Sequence, residues 1–199
     1  MEAKMFNKFC SAFDVEYKDL NSDLNVSYQS ILKQSLGAVE FMTKFQGKTF
    51  KNGLYRVHNL NQLDKWNDII TEAFLYFKNK IFCFSYDWLG RQFALDFTRV
   101  SEGEPMILMF EPGTGDALEI PSTFLSFHED ELTEFQDAAL AVEFFNEWKK
   151  ENAEPLDHNK CVGYKVPLFL GGEDEISNLE ISDMEVYWGI IGQLKKQLF

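Results

Sequence analysis

The sequence predicts an α+β fold, in which an antiparallel meander sheet of about four to six strands carries helices packed largely on one face. Apolar residues recur at helical spacing in both terminal parts of the chain, whereas the middle contains short alternating segments separated by turn residues. Of the 199 residues, 45% are hydrophobic and 20 are phenylalanine, so the chain can bury a substantial core.

The first part of the chain is mainly helical in this prediction. Apolar spacing indicates helices over residues 3–13, 26–36, 39–45 and 60–77, with a short strand over 54–57. The helix over 60–77 has the clearest apolar face, because Leu63, Trp66 and Ile70 align on one side. We therefore assign residues 1–79 to a mainly helical N-terminal region.

Two hairpins follow in the predicted order. Segments 81–86 and 92–97 flank the turn residues 87–91, and segments 106–110 and 117–120 flank the Pro-Gly turn at 111–116. Consecutive strands with short connections predict neighbours in one antiparallel sheet.

Helix returns after the second hairpin. Apolar spacing predicts helices between residues 126 and 149 and over 184–198, and Pro167 favours an extended segment over 162–170. Residues 80–199 therefore form the second region, and we expect both regions to build one compact unit.

Charge is distributed unevenly along the chain. Residues 1–100 contain 13 basic and 11 acidic side chains, whereas residues 101–199 contain 6 and 21, which gives the net charge of −13. Phosphate groups repel so acidic a protein, which argues against direct contact with nucleic acid or an anionic membrane. A basic protein partner is favoured, and the alternative is that the charge only keeps the protein soluble.

Cysteine content and apolar runs bear on the compartment. Cys10, Cys83 and Cys161 are widely spaced and indicate no disulfide framework, as expected in a reducing cytosol. Residues 1–5 show no secretion signal, and no apolar run is long enough to span a membrane. These observations predict a cytoplasmic protein.

Sequence motifs for catalysis are missing. The chain has no Gly-x-Ser-x-Gly elbow, and its Gly-Thr-Gly at 113–115 lacks the lysine of a phosphate loop. Asp157, His158 and Cys161 lie close in sequence, but zinc sites usually need a second ligand pair. We therefore predict no catalytic residue, metal or cofactor; the alternative is a metal-dependent hydrolase that uses acidic residues.

Three segments of the chain resemble one family. These are residues 163–188, which begin Gly-Tyr-Lys-Val-Pro-Leu-Phe-Leu-Gly-Gly-Glu-Asp-Glu, and residues 50–58 and 87–96. They are similar to bacterial type VI secretion immunity proteins that join a GAD-like region, here 1–79, to a C-terminal immunity domain, here 80–199. The SUKH immunity superfamily, also α+β, is the alternative kinship.

The resemblance implies a non-enzymatic protein that binds and neutralises a cognate toxin, often a nuclease. A regulatory or scaffold module with another partner is the alternative. For the partner-binding surface we predict the turn at Gly171 and Gly172, with charge from the acidic residues listed next and an exposed Trp88 as anchor. These acidic residues are Glu173, Asp174 and Glu175.

A competing interpretation of the same residues stays open at this point. Trp88 and Trp188 can equally belong to the core, with the acidic residues serving only solubility. If the turn is not the interface, the acidic helical segment 129–147 is the next candidate surface.

Overall fold

The computed structural model describes residues 5–18 and 26–198. Its main feature is a seven-stranded antiparallel sheet whose strands follow one another in chain order, and a separate two-stranded sheet lies beside it. The strands of the main sheet are β1 (Val15–Lys18), β2 (Lys48–Phe50), β3 (Tyr55–Val57), β4 (Ile81–Asp87), β5 (Gln92–Ser101), β6 (Glu104–Glu111) and β7 (Asp116–Thr123). The smaller sheet pairs β8 (Lys160–Tyr164) with β9 (Leu179–Asp183).

Helices precede, interrupt and follow the sheet. They are α1 (Asn7–Ala12), α2 (Val26–Leu32), α3 (Ala38–Phe45), α4 (Leu63–Ala73), α5 (Phe124–Ser126), α6 (Leu132–Glu134), α7 (Gln136–Leu140), α8 (Val142–Lys149) and α9 (Met184–Leu198). A π-helical turn over Phe127–Glu131 joins α5 to α6. The predicted α+β class and the antiparallel meander are confirmed, and the short edge strand β1 brings the strand count to seven.

Both predicted hairpins are present. Strands β4 and β5 pair up to Tyr86 opposite Gln92, and strands β6 and β7 pair up to Glu111 opposite Asp116. At the first hairpin tip, the backbone N–H of Asp87 donates to the carbonyl of Arg91 at 3.1 Å. The turn residues identified in the sequence therefore mark the hairpin tips of the meander.

The helices are distributed differently from the prediction, because they cover both faces of the sheet. On one face, Cys83, Ala94 and Leu108 pack with residues of α4 and α9. On the other face, Phe84 and Phe93 share a core with residues of α1, α3 and α8. Strands that are buried on both sides read as near-continuous apolar runs, and residues 81–84 form such a run.

Several element boundaries differ from the sequence expectation. The helix predicted over 60–77 is α-helical only over Leu63–Ala73, with 3₁₀ turns on either side. The segment predicted as extended over 162–170 forms β8 and then a 3₁₀ turn over Leu168–Leu170. The start of the helix predicted over 3–13 lies outside the described residues.

Candidate functional site

The predicted acidic loop lies between the two strands of the smaller sheet. Strand β8 ends at Tyr164 and strand β9 begins at Leu179. In the connection between them, the side chains of Glu173, Asp174 and Glu175 are all exposed. The structure therefore places these carboxylates at the surface.

Two glycines give the acidic loop its shape. Gly171 has φ +87°, in the left-handed region, and nothing within 4 Å opposes a side chain there. A Cβ on Gly172 would lie only 1.9 Å from the carbonyl oxygen of Val166, so this close approach requires glycine. The Nδ2 of Asn178 donates to the carbonyls of Val166 and Glu173, each at 2.9 Å, and ties the loop to itself.

Trp88 does not lie at this surface, and the prediction of an exposed anchor is wrong. Its side chain is 0% exposed, and its ring packs against Phe145 and Trp148 of α8. Its indole Nε1 donates to the carbonyl of Leu140 at 2.9 Å. Trp88 and Trp188 are both core residues, because a large apolar ring with one satisfied N–H is stable in the interior.

The acidic loop borders a cavity of about 500 Å³, which we call the acidic cleft. Its walls come from the β6–β7 turn, the α7–α8 segment and the acidic loop. Five carboxylates line it against one guanidinium, that of Arg91. The carboxylates belong to Glu111, Asp137, Glu143, Glu147 and Asp174.

The sequence analysis identified two acidic segments, residues 173–175 and 129–147, and only part of each lines the cleft. Glu129, Asp130 and Glu134 instead hold helix α1. Glu129 accepts from the backbone N–H of Phe9 at 3.1 Å, and the Nζ of Lys8 lies 2.8 Å from Asp130 and 2.7 Å from Glu134. The acidic segment 129–147 therefore divides into an internal contact and a wall of the cleft.

The floor of the cleft is a buried ion-pair network around Arg91. Its Nε lies 2.6 Å from Oδ2 of Asp87 and 3.7 Å from Oε2 of Glu111, and its Nη2 donates to the carbonyl of Ala139 at 3.2 Å. Burial alone would lower the pKa of Arg91, but the two carboxylates raise it. The guanidinium therefore stays charged, and its Nε and Nη2 bond to groups of its own chain.

Glu111 is a carboxyl group of the floor whose pKa is raised. Burial raises its pKa to about 7, although Arg91 and the backbone N–H of Gly113 both lower it. Nearby, the hydroxyl of Tyr164 donates to Oδ1 of Asp174 at 2.6 Å, and burial and this carboxylate raise the pKa of Tyr164. The cleft thus contains one carboxyl that changes its protonation near neutral pH and one phenol that remains protonated.

The wall formed by α8 presents two carboxylates side by side. Glu143 and Glu147 are four residues apart, and this spacing puts them on the same side of a helix. Oδ1 of Asp137 accepts from the backbone N–H of Glu143 at 2.8 Å, at the start of α8. Between α7 and α8, Ala141 has φ +50°, and this left-handed residue produces the change of direction that turns α8 along the cleft.

The residues of the hydrolase alternative do not form a metal centre. The Nδ1 of His158 lies 3.1 Å from the hydroxyl of Tyr86. Cys161 is fully buried, and burial raises the pKa of its thiol to about 12. Among the residues that the structure describes, no three His, Cys, Asp or Glu side chains come together as metal ligands. The sequence proximity of Asp157, His158 and Cys161 therefore gives the alternative no support.

The C-terminal part of the chain matches a family of known proteins. Residues 121–195 match the family model described as T6SS immunity protein Tdi1, C-terminal. The matched range includes α8, both strands of the smaller sheet and the acidic loop. This part of the chain is therefore similar to type VI secretion immunity proteins, which confirms the resemblance seen in residues 163–188.

A solved structure shares the overall fold. The crystal structure of Atu4351 from Agrobacterium tumefaciens superposes with a TM-score of 0.65 over 95% of this chain and 89% of that chain, at 15% sequence identity. At this identity the likeness shows a common fold. No curated protein matches the sequence closely enough to support a relationship. No described helix is both long and apolar enough to cross a bilayer.

Sequence reasoning did not identify three residues that line the cleft, namely Arg91, Glu111 and Tyr164. Arg91 and Glu111 lie in two different hairpin turns, and nothing in a linear pattern shows that these turns face each other. A weak signal was present, since Asp87 and Arg91 are oppositely charged and flank one tight turn. Tyr164 gave no signal at all, because an aromatic residue at a strand end is usually part of a core.

Proposed function

We propose that this protein neutralises a cognate toxin by binding it, and that the acidic cleft with the acidic loop forms the contact surface. The observation that carries the proposal is the convergence of five carboxylates around one cavity, on a chain that matches an immunity-protein family over residues 121–195. Binding alone suffices for neutralisation, so the proposal requires no catalytic residue and no cofactor.

The partner that fits this surface is a basic protein. A concave site lined by charges of one sign concentrates the field and accelerates the encounter with an oppositely charged surface. The exposed loop of Glu173, Asp174 and Glu175 supplies long-range attraction, and the cavity supplies a place for a protruding side chain. Charge thus brings the partner in, and the cavity fixes its position.

A nuclease is the class of toxin that this surface favours. Nucleases carry basic side chains where they bind phosphate, so an acidic inhibitor can occupy that region. Such an inhibitor competes with the nucleic acid for the same basic side chains of the nuclease. The net charge of −13 agrees with this role and disfavours nucleic acid as a direct ligand.

We propose that the two predicted regions of the chain act together as one unit. We assign residues 80–199 to the immunity-type domain and residues 1–79 to the GAD-like region. Strand β3 of the first region pairs with strand β4 of the second, with Arg56 opposite Tyr86. Both regions therefore contribute to one sheet, which supports the expectation of a single compact body; we propose that it acts in the cytoplasm of the cell that makes it.

The first experiment identifies the toxin. The product of the adjacent reading frame is expressed in cells with and without this protein, and growth is measured. Rescue of growth, together with co-purification of a complex, supports neutralisation by binding. Failure of the protein to rescue cells from a toxic neighbour contradicts it, and capture of a non-toxic partner instead would indicate a regulatory or scaffold module.

The second experiment locates the surface. Glu173, Asp174 and Glu175 are replaced together by lysine, and association with the toxin is followed by stopped flow at low and high salt. We expect association at low salt to slow by about tenfold or more, with a smaller difference at high salt. Unchanged association kinetics would contradict this surface and direct attention to the helical segment 129–147.

A matched control keeps the change in net charge constant. Asp68, Glu72 and Glu102 are exposed carboxylates outside the acidic cleft, and their replacement by lysine reverses the same number of charges. This control should slow association much less than the loop variant does. Circular dichroism of both variants checks that the fold is retained.

A further inference from the structure

Glu111 combines burial with a place in the lining of the acidic cleft. The residue is only 8% exposed and lines the acidic cleft. Its Oε1 accepts from the backbone N–H of Gly113 at 2.9 Å, whereas the nearest cation to its Oε2 in the described chain is Nε of Arg91, at 3.7 Å. That separation exceeds hydrogen-bond distance, so one acceptor at the floor is incompletely satisfied.

The side-chain donors nearest to Glu111 bond to other acceptors. Arg91 already donates to Asp87 and to the carbonyl of Ala139. The Tyr164 hydroxyl donates to Asp174. The buried carboxylate is therefore ion-paired with Arg91 at 3.7 Å but receives no hydrogen bond from it, and a buried charge whose hydrogen bonding is incomplete costs free energy.

We propose that the floor of the acidic cleft receives the cationic end of one lysine or arginine side chain of the partner, with Oε2 of Glu111 as its acceptor. This inference rests on the proposed function and deepens it, since it names the group that the cleft recognises. A cavity of about 500 Å³ can hold one long side chain. The surrounding carboxylates exclude an anion, and Arg91 is held back by Asp87.

Insertion of a cation changes the protonation of Glu111. The groups that act on this carboxyl are Arg91 and Asp87 from the first hairpin tip, Gly113 from its own turn, and Asp174 from the acidic loop. Arg91 lowers its pKa, whereas burial and the two aspartates raise it to about 7. A second cation beside Oε2 adds a favourable charge, so the pKa falls and complex formation releases protons near pH 7.

The structure supplies a direct reporter of this event. The backbone N–H of Gly113 is hydrogen-bonded to Glu111, so its NMR chemical shift follows the charge of that carboxyl. We expect the Gly113 amide of the intact protein to titrate with a midpoint near pH 7. Addition of Nα-acetyl-arginine amide or Nα-acetyl-lysine amide, in the presence of a chelator, should shift that midpoint to lower pH.

Variants separate the floor from the rest of the surface. Glu111→Gln removes the charge and keeps the shape, so it should abolish the probe-dependent shift and weaken the toxin complex by about 10- to 100-fold. Glu72→Gln is the control, an exposed carboxyl outside the acidic cleft, and should change neither measurement. Calorimetry in buffers of different ionisation enthalpy should show proton release on toxin binding by the wild-type protein and less by Glu111→Gln.

The outcomes distinguish this inference from the proposed function. If the loop charge reversal slows toxin association but Glu111→Gln binds normally and proton release is unchanged, the side-chain site at the floor is wrong and the acidic surface stands. If no toxin binds this protein at all, the proposed function fails whatever the amide probes do. If the probes leave Gly113 unshifted while toxin binding is lost in Glu111→Gln, the floor acts only through stability and the inference is overturned.

Discussion

The indole N–H of Trp88 donates to the carbonyl oxygen of Leu140 across 2.9 Å, and this bond joins the first hairpin tip to the end of helix α7. The last carbonyls of a helix have no partner within it, so such a donor satisfies a group that would otherwise be buried and unpaired. Arg91 of the same tip donates to the adjacent carbonyl of Ala139. The hairpin tip therefore fixes the α7–α8 junction, where the acidic wall of the cleft begins.

The first prediction concerns the Trp88 donor. Trp88→Phe keeps an aromatic ring in the core but removes the N–H, so it should lower the free energy of unfolding by about 1–3 kcal/mol. Trp88→Ala also empties the site and should cost about 3–5 kcal/mol. Urea denaturation followed by circular dichroism measures both. Equal losses in the two variants would show that the N–H donor, which both lack, dominates, whereas little or no loss in Trp88→Phe would show that packing alone stabilises this contact.

The second prediction concerns the pH dependence of stability. Burial raises the pKa of Glu111 from its ordinary 4.5 to about 7, so in that interval the folded protein binds the proton that the unfolded chain has lost. The contribution of this group to stability is present in full below about pH 4.5 and is lost as the pH rises through about 7. Its size is at most about 3.5 kcal/mol, at about 1.4 kcal/mol per pKa unit.

The measurement is the difference in unfolding free energy between wild type and Glu111→Gln, followed from pH 4.5 to pH 8. Because the amide does not titrate, the variant should gain stability relative to wild type as the pH rises. Glu72→Gln carries the same chemical change at an exposed position outside the acidic cleft and should show no such trend. A pH-independent difference for Glu111→Gln would mean that the carboxyl is ionised throughout.

Local chemistry made the meander predictable from the sequence. A Pro-Gly pair at 112–113 and a Gly at position 90 mark turns whatever the rest of the chain does, so the hairpins needed no long-range information. Phe93 and Leu95 of β5 are both buried, but so are the alternating residues Ala94 and Asp96, so the pattern of this strand does not report burial on its own. The cover on both faces of the sheet therefore differs from the prediction that the helices pack largely on one face.

The candidate site depended on contacts between distant segments. The exposed acids at 173–175 could be identified because charged side chains almost never stay inside without a partner. Glu111 is an exception to this expectation, because it is a charged residue beside a turn and is nevertheless buried against Arg91. Trp88 was misjudged for a related reason, because a turn position suggests exposure while packing by α8 covers it completely.

The third prediction tests the core of the meander. Leu95 is fully buried, whereas Leu118 of strand β7 is 43% exposed. Leu95→Ala should therefore lower the free energy of unfolding by about 2–5 kcal/mol, because it removes buried methyl groups and leaves a cavity. Leu118→Ala removes the same atoms from a partly exposed position and should cost less than about 1 kcal/mol. Similar losses in both variants, measured by urea denaturation, would contradict the assignment of Leu95 to the core.

The fourth prediction uses the two neighbouring glycines of the acidic loop as a matched pair. A Cβ on Gly172 would clash with the carbonyl oxygen of Val166, so Gly172→Ala must displace the backbone that carries Glu173. Gly171 has open space around it, and Gly171→Ala meets only the cost of a left-handed alanine, about 1–2 kcal/mol. If the loop binds the toxin, Gly172→Ala should weaken the complex by several-fold more than Gly171→Ala does, even where urea denaturation shows both variants folded. Equal affinities for the two folded variants would mean that the position of the acids does not matter and that only their charge acts, because both variants retain the same charges.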